Sequence, residues 1–244
     1  VDGITKGRLK EIKSLQQKKF RDETGFFVIE GVKMVEETMA TIPHLIECCL
    51  HTSEYQISNQ NQPFPMYQVD RKSLEQCSSL KTPNKILAVV KQLPQKNTNS
   101  KFILALDGIQ DPGNMGTILR LADWFGIEQI VCSKKTVDCY NPKVVQASMG
   151  AILRVSVNYC SLETFLSETK LPVFGALLEG KSIYQESLTN EGILLMGNEG
   201  NGISDELLSY IQHPLTIPRF GKAESLNVSV ATGILLSEFW RGVK

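Results

Sequence analysis

From Lys101 onward the chain alternates short apolar runs with helix-patterned stretches, and this alternation restricts its architecture more than any other feature. Strands are expected at 102–106, 129–132, 153–157, 173–178, 193–196 and 215–217, and helices at 114–125, 142–151, 161–168, 204–212 and 225–241. Apolar runs without polar alternation belong to strands buried on both faces, and a helix between successive strands suits parallel pairing. The prediction is an α/β domain with a parallel sheet covered on both sides. Ligands of such sheets bind beyond the carboxyl ends of the strands, so the chemistry is to be sought in the loops there.

The chain before Lys101 has a different texture. Residues 5–19 form a polar, basic helical pattern with Ile12 and Leu15 inward, and 25–31 suggests a strand closed by glycine and followed by a helix through Val32, Val35 and Met39. Strands are expected at 45–50, 66–69 and 86–90, and a helix at 71–79. This makes a small mixed α/β domain over residues 1–92. Residues 93–100, polar and without periodicity, are the expected linker, and 101–244 the second domain.

The 26 basic and 26 acidic residues cancel, so the whole chain gives no polyelectrolyte signal. Locally, Lys6, Arg8, Lys10, Lys13, Lys18, Lys19 and Arg21 face only Glu11, although a solvated helix face is the ordinary meaning of such a run. The six cysteines include no C-x-x-C pair, and the three histidines are scattered. Neither a metal site nor a disulfide framework is expected, which points to a reducing, cytoplasmic compartment. The charged start and the lack of long apolar runs argue against a signal peptide, membrane span or anchor.

Three strand-to-helix loops carry the polar cargo. The first is Asp107-Gly108-Ile109-Gln110-Asp111-Pro112-Gly113-Asn114, running into a helix with Asn114 as a plausible N-cap. Gly116 and Arg120, four apart, share a helix face, and an Arg near a helix start opposes the dipole unless an anion meets it. The second loop, Gly197-Asn198-Glu199-Gly200-Asn201-Gly202-Ile203, lacks the dinucleotide order G-x-G-x-x-G. Ser204-Asp205-Glu206 reads as ordinary capping, whereas Glu199 sits inside the turn. The third segment runs from Ile217-Pro218-Arg219-Phe220-Gly221-Lys222 through Ser225-Leu226-Asn227 into the last helix. A bland reading of Ser225 alone is a helix cap.

Together these segments resemble the three signature motifs of the SpoU (TrmH-type) RNA ribose 2′-O-methyltransferase family, of the SPOUT superfamily. The motifs are Asn114-x-Gly116-x-x-x-Arg120, then Gly197-Asn198-Glu199-Gly200-x-Gly202-Ile203, then Ile217-Pro218-x-x-Gly221-x-x-Glu224-Ser225-Leu226-Asn227 with the following Val228-Ser229-Val230-Ala231. They occur in the family's order with no departure at a signature position. The basic start and Phe27-x-x-Glu30-Gly31 are similar to the family's substrate-binding domain, a ribosomal-protein-like RNA-binding α/β fold. The resemblance implies a deep trefoil knot in the C-terminal domain, an exception to the rule against knotted chains. It further implies S-adenosylmethionine as cofactor, no metal, and a homodimer with the active site at the subunit boundary, helices 114–125 and 225–241 being interface elements.

By matching position, Gly197, Ile217 and Leu226 would line the cofactor pocket with Asn198, Glu199, Gly202, Pro218 and Ser225, and Leu177 or Leu178 would add a wall. Arg120 would act at the 2′-hydroxyl, either as a base or by gripping phosphate and stabilising an alkoxide; a guanidinium that stays protonated favours the second. Asn114 would orient the ribose or Arg120, Glu199 would fix Arg120 or loop backbone, and Ser225 and Asn227 would shape the site. Lys6, Arg8, Lys10, Lys13, Lys18, Lys19, Arg21, Arg219 and Lys222 become candidate RNA contacts. Ribosomal RNA is the favoured substrate and transfer RNA the alternative. A non-enzymatic RNA-binding homologue, a base methyltransferase and a nicotinamide-dependent dehydrogenase are the rival readings.

Overall fold

The computed structural model describes residues 3–57, 61–95 and 100–242; residues 96–99 of the expected linker lie outside the described residues. The chain divides into two compact units, one made of Val1–Pro94 with Asp138–Leu153, the other of Gln95–Val137 with Arg154–Lys244. The expected second domain, 101–244, is thus interrupted: its segment 138–153 clusters with the N-terminal part.

In the first unit α1 (Lys6–Ser14), α2 (Lys18–Thr24), β1 (Phe26–Glu30), α3 (Val32–Thr41), β2 (Ile46–His51), β3 (Met66–Gln68), α4 (Arg71–Cys77) and β4 (Ile86–Lys91) follow in order. The sheet runs β1-β4-β2-β3, antiparallel except for β2 with β3. Its core gathers Ile12 and Leu15 with Val28, Leu50, Leu74, Leu87 and Val89. The helix expected over 5–19 breaks after Ser14, and the carbonyls freed by the break are used. Arg21 Nη1 donates to Leu15 O at 2.8 Å and Gln16 O at 3.0 Å, while its Nε and Nη2 donate to Asp138 Oδ2 at 3.0 and 2.7 Å. Arg21 is 2% exposed. Expected among the RNA-contacting cations, it is a core residue instead: four of the five guanidinium donors are spent on a carboxylate and carbonyls, and burial keeps the group from any outside ligand.

Asp138 begins the segment that ends in α6 (Pro142–Ser148) and a short 3₁₀ turn at Ala151–Leu153. Tyr140 packs against Phe27 with ring centroids 4.6 Å apart and the planes tilted by 42°, and its hydroxyl accepts from Leu93 N at 2.9 Å.

The second unit holds β5 (Phe102–Leu106), α5 (Pro112–Trp124), β6 (Gln129–Ser133), β7 (Ser156–Cys160), α7 (Leu162–Glu168), β8 (Val173–Ser182), β9 (Gly192–Met196), α8 (Asp205–Leu208), β10 (His213–Thr216) and α9 (Val228–Trp240). All six strands are parallel, in the order β10-β8-β9-β5-β6-β7. The strand expected at 153–157 starts later because its first apolar residues are spent in the 3₁₀ turn, which an apolar run by itself does not distinguish from a strand. Helix α8 is shorter than expected because Gln212 already pairs with Val173, N–H to O at 3.1 Å and Oε1 from Val173 N at 2.6 Å. Every described residue of β5 and β9 is buried, as a sheet covered on both faces requires.

Strand β8 extends to Ser182 rather than ending at 178. Its register with β10 jumps, since Pro214 faces Gly175 and Leu215 faces Lys181. Residues 176–180 therefore loop out of the ladder, carrying Leu177, half-buried, and Leu178, 77% exposed. Leu178 O is held by Thr216 Oγ1 at 3.0 Å.

Candidate active site

Topology explains why two of the three loops meet. The chain leaves β5 toward β6 and β7, then returns to place β9 on the other side of β5; this reversal is a switch point, with a crevice between the loops that follow the two strands. Leu106 is level with Met196, and Asp107 N donates to Met196 O at 2.9 Å. The buried carboxylate of Asp107 then accepts from Ser204 N at 2.9 Å and from its hydroxyl. Ser204 thus anchors the two loops to each other and makes no side-chain capping bond to α8.

The second loop closes on itself. Asn198 and Gly202 exchange backbone bonds, N to O at 2.8 and 3.0 Å. A Cβ at Gly197 would lie 2.2 Å from the carbonyl carbon of Gly202, and Gly202 has φ 72°, so both positions exclude a side chain. Asn198 Oδ1 accepts from Gly200 N at 2.9 Å and Asn201 N at 3.1 Å, and its Nδ2 donates to Gly108 O at 2.7 Å. Gly197, Asn198 and Gly202, expected at the cofactor, are here seen to build the loop.

Three loops join at Asn114. Its Nδ2 donates to Glu199 Oε1 at 3.0 Å, and its Oδ1 accepts from Asn227 Nδ2 at 2.9 Å. Glu199 also faces Gln110 N and Asp111 N, both at 3.4 Å, and Asn198 Nδ2 at 3.3 Å. Those contacts exceed the usual range for a strong bond, so the amide of Asn114 is the main tie. Asn114 is not the cap of α5. Asp111 is, its carboxylate accepting from Asn114 N at 2.8 Å with Pro112 at the first helical position, which frees the Asn114 side chain for the loops. Asn227 caps α9 through Oδ1, accepting from Ser229 N at 2.9 Å and Val230 N at 3.3 Å, while its Nδ2 reaches Asn114. One amide thus ends the third loop and links it to the first. Helices α5 and α9 pack where Gly233 leaves room for Leu121.

Arg120 and Ser225 are not drawn into this network. Arg120 is exposed and has no hydrogen bond or ion pair among the described residues. Trp124, four positions on along the same helix face, is 84% exposed. Ser225 is exposed and caps nothing, since Asn227 occupies the cap.

Ile217 and Pro218 are half-buried and Leu226 is 48% exposed. No backbone–backbone hydrogen bond engages residues 218–226 among the described residues. Apolar side chains beside backbone N–H and C=O groups that have no backbone partner suit a flat heteroaromatic ring with polar edges, and the Leu178 carbonyl held by Thr216 brings the 176–180 bulge to the same strand end. Sequence reading missed Asp107 and Asp111; an Asp on each side of the Gly108 turn, one of them before Pro, was the available signal.

Fold and loops define an α/β protein that assembles its ligand site from the switch-point loops of a parallel sheet. Residues 101–237 match the SpoU rRNA Methylase family and residues 6–88 the MRM3-like substrate binding domain. The chain belongs to the SpoU rRNA methylase family. It is 32% identical over 241 residues to the 23S rRNA (guanosine(2553)-2′-O)-methyltransferase RlmP of Bacillus subtilis, with 97% of each chain covered. Among solved structures it is similar to a TrmH-family protein from Porphyromonas gingivalis, 35% identical with a TM-score of 0.87 over 98% of both chains. It is also similar to an S-adenosylmethionine-bound rRNA methyltransferase from Sinorhizobium meliloti, 27% identical with a TM-score of 0.85 over 100% of this chain and 98% of that one.

Proposed function

We propose that this protein transfers a methyl group from S-adenosylmethionine to a ribose 2′-hydroxyl of ribosomal RNA. The observation that carries the reading is Asn114 bonded to Glu199 and Asn227, one residue from each signature loop. Bound S-adenosylmethionine supplies an electrophilic methyl on a sulfonium. Ile217, Pro218, Leu226 and the open backbone of 218–226 would hold its adenine, with Leu177 or Leu178 as a further wall. The stitched loops supply alignment, which in favourable systems contributes roughly 7–11 kcal/mol.

The Arg120 guanidinium grips the phosphate beside the target ribose and stabilises the oxygen as its proton passes to that phosphate or to water. Asn114 positions the ribose, Glu199 holds Asn114 and the loop backbone in place, and Ser225 and Asn227 line the acceptor side. Arg120 stands apart from the network in a single chain, and this fits a homodimeric site. A second copy covering Trp124 also covers Arg120, one turn away, and the half-exposed Leu226 and Val230 offer apolar area for the same contact. The reading includes a knotted C-terminal thread, as the family resemblance implies.

Substrate binding belongs to the N-terminal region, residues 1–92, with 93–100 as the connection. Lys6, Lys10 and Lys13 are exposed and carry no ion pair among the described residues. Arg8 pairs with Glu11 and Glu47, Lys18 with Asp22, and Lys19 with Glu23. Exposed pairs of this kind are worth about 0–1 kcal/mol and yield readily to phosphate. Among the described residues no helix is long and apolar enough to cross a membrane, and a cytoplasmic setting accords with six free cysteines.

Methyl-labelled S-adenosylmethionine and the protein, with an unmodified 23S rRNA transcript and, in a parallel reaction, unmodified transfer RNA, provide the test. The expected product is one labelled, alkali-resistant dinucleotide, because a 2′-O-methyl blocks cleavage at its own phosphodiester. Label on a base, or on transfer RNA alone, would reject the reading.

A further inference from the structure

The segment between β10 and α9 displays a side chain that proteins ordinarily cover. Phe220 is 96% exposed, more than any other large apolar residue described. Its loop is held at both ends. Thr216 closes the strand before it, and Asn227 caps the helix after it while reaching Asn114. Within the loop Arg219 Nη1 donates to Ala223 O at 3.2 Å, closing a turn beneath residues 220–222. Nothing lies within 4 Å of the position a Cβ would take at Gly221, so the tip beside Phe220 is open. Arg219 and Lys222, both exposed, flank Phe220 in the chain, and Glu224 follows them as the one carboxylate of the segment.

We propose that Phe220 is a stacking platform for an unpaired nucleobase neighbouring the target ribose, with Arg219 and Lys222 on the adjoining phosphates. This rests on the methyltransferase reading above and adds to it how the acceptor strand is gripped. The ring alone would suit any apolar partner, but its setting selects among them. A second copy of the loop would bring the same two cations against these two, whereas an RNA strand presents both a flat π-face and negative charge. Single-stranded segments are recognised by stacking of splayed bases on aromatic side chains. The platform also stands next in chain to Ile217 and Pro218, which this reading places at the cofactor. A base held there belongs to a nucleotide at or beside the one methylated.

The experiment compares Phe220→Ala, Phe220→Leu and Phe220→Tyr in the full-length protein with an unmodified 23S rRNA transcript at fixed salt. S-adenosylmethionine affinity and molecular mass in solution are measured alongside. The Ala and Leu variants are each expected to raise Kd and KM for the transcript roughly 5- to 140-fold, and Tyr to stay within about threefold of the parent. Cofactor affinity and mass should not move. Parent-like RNA binding by the Leu variant would show that bulk and not stacking matters, and would overturn the proposal. So would an Ala variant that loses cofactor or its partner copy while binding RNA normally. If the parent protein methylates no ribose but Phe220→Ala still weakens transcript binding, the activity reading fails and the platform stands. If the parent methylates and Phe220→Ala matches it, the platform alone falls.

Discussion

Arg21 and Arg120 are both helical arginines, Arg21 among polar neighbours in sequence and Arg120 among apolar ones, and the fold treats them in opposite ways. Arg21 is 2% exposed and makes four hydrogen bonds, two to Asp138 and two to carbonyls where the first helix breaks. Arg120 is exposed on the helix that leaves the first signature loop, and no protein group engages it among the described residues. A guanidinium whose donors are satisfied internally is part of the framework and cannot also serve a ligand. One left open beside a site is available to phosphate. The comparison separates charge spent inside the framework from charge left open to solvent, and net charge or local runs of lysine and arginine cannot.

The largest effect should come from breaking the closed side. Arg21→Ala leaves a cavity and a largely covered Asp138 carboxylate without its partner, and is expected to cost about 3–5 kcal/mol in urea unfolding. Replacing both charges, as in Arg21→Met with Asp138→Leu, should recover much of that. An Arg21→Ala protein of normal stability but weak RNA binding would reverse the assignment. Arg120→Ala should do the opposite, lowering methyl transfer roughly 10²- to 10³-fold while stability stays within about 0.5 kcal/mol. Single-turnover assays with saturating cofactor distinguish this from a binding defect.

A smaller and more discriminating effect lies at the joint between the loops. Asn227→Asp keeps an oxygen to cap α9 but loses the amide donor to Asn114, so stability should hold while turnover falls roughly 3- to 10-fold, the loss of one hydrogen bond. Asn227→Ala removes the cap as well and should cost about 0.5–2 kcal/mol of stability. Equal activity in the Asp variant and the parent would mean the tie to Asn114 is incidental.

The smallest effect is a pH slope on the closed side. Burial raises the Cys77 thiol from its ordinary 9.0 to about 11 and moves Cys49 in the same direction. Above pH 9 the unfolded chain loses these protons before the folded one does, so stability should decline as pH climbs toward 11. Cys77→Ala should flatten part of that decline in a pH series of urea melts.

Much of the candidate site was legible beforehand because its residues belong to short motifs in a fixed order. Asn114, Glu199 and Asn227 could be named from three separate loops, though their mutual bonds could not. Other roles depended on which neighbour reached an atom first. Asp111 took the cap expected of Asn114, and Asn227 took the one open to Ser225. Asn198 turned inward to Gly108 O, and Ser204 bonded to Asp107 instead of capping its own helix. Each outcome is a competition among polar groups a few residues apart, decided by backbone geometry that residue type does not encode.

Apolar spacing by itself determined that this chain builds a buried parallel sheet with helices between its strands, because a strand buried on both faces cannot tolerate polar alternation. It likewise determined a separate mixed α/β region before Lys101. Only the tertiary structure decided that 138–153 clusters with that N-terminal region, that Arg21 is interior, and that residues 176–180 leave the ladder. These depend on contacts between residues far apart in the chain, such as Arg21 with Asp138 and Gly175 with Pro214. The free energy that selects them exists only once both partners have been brought together.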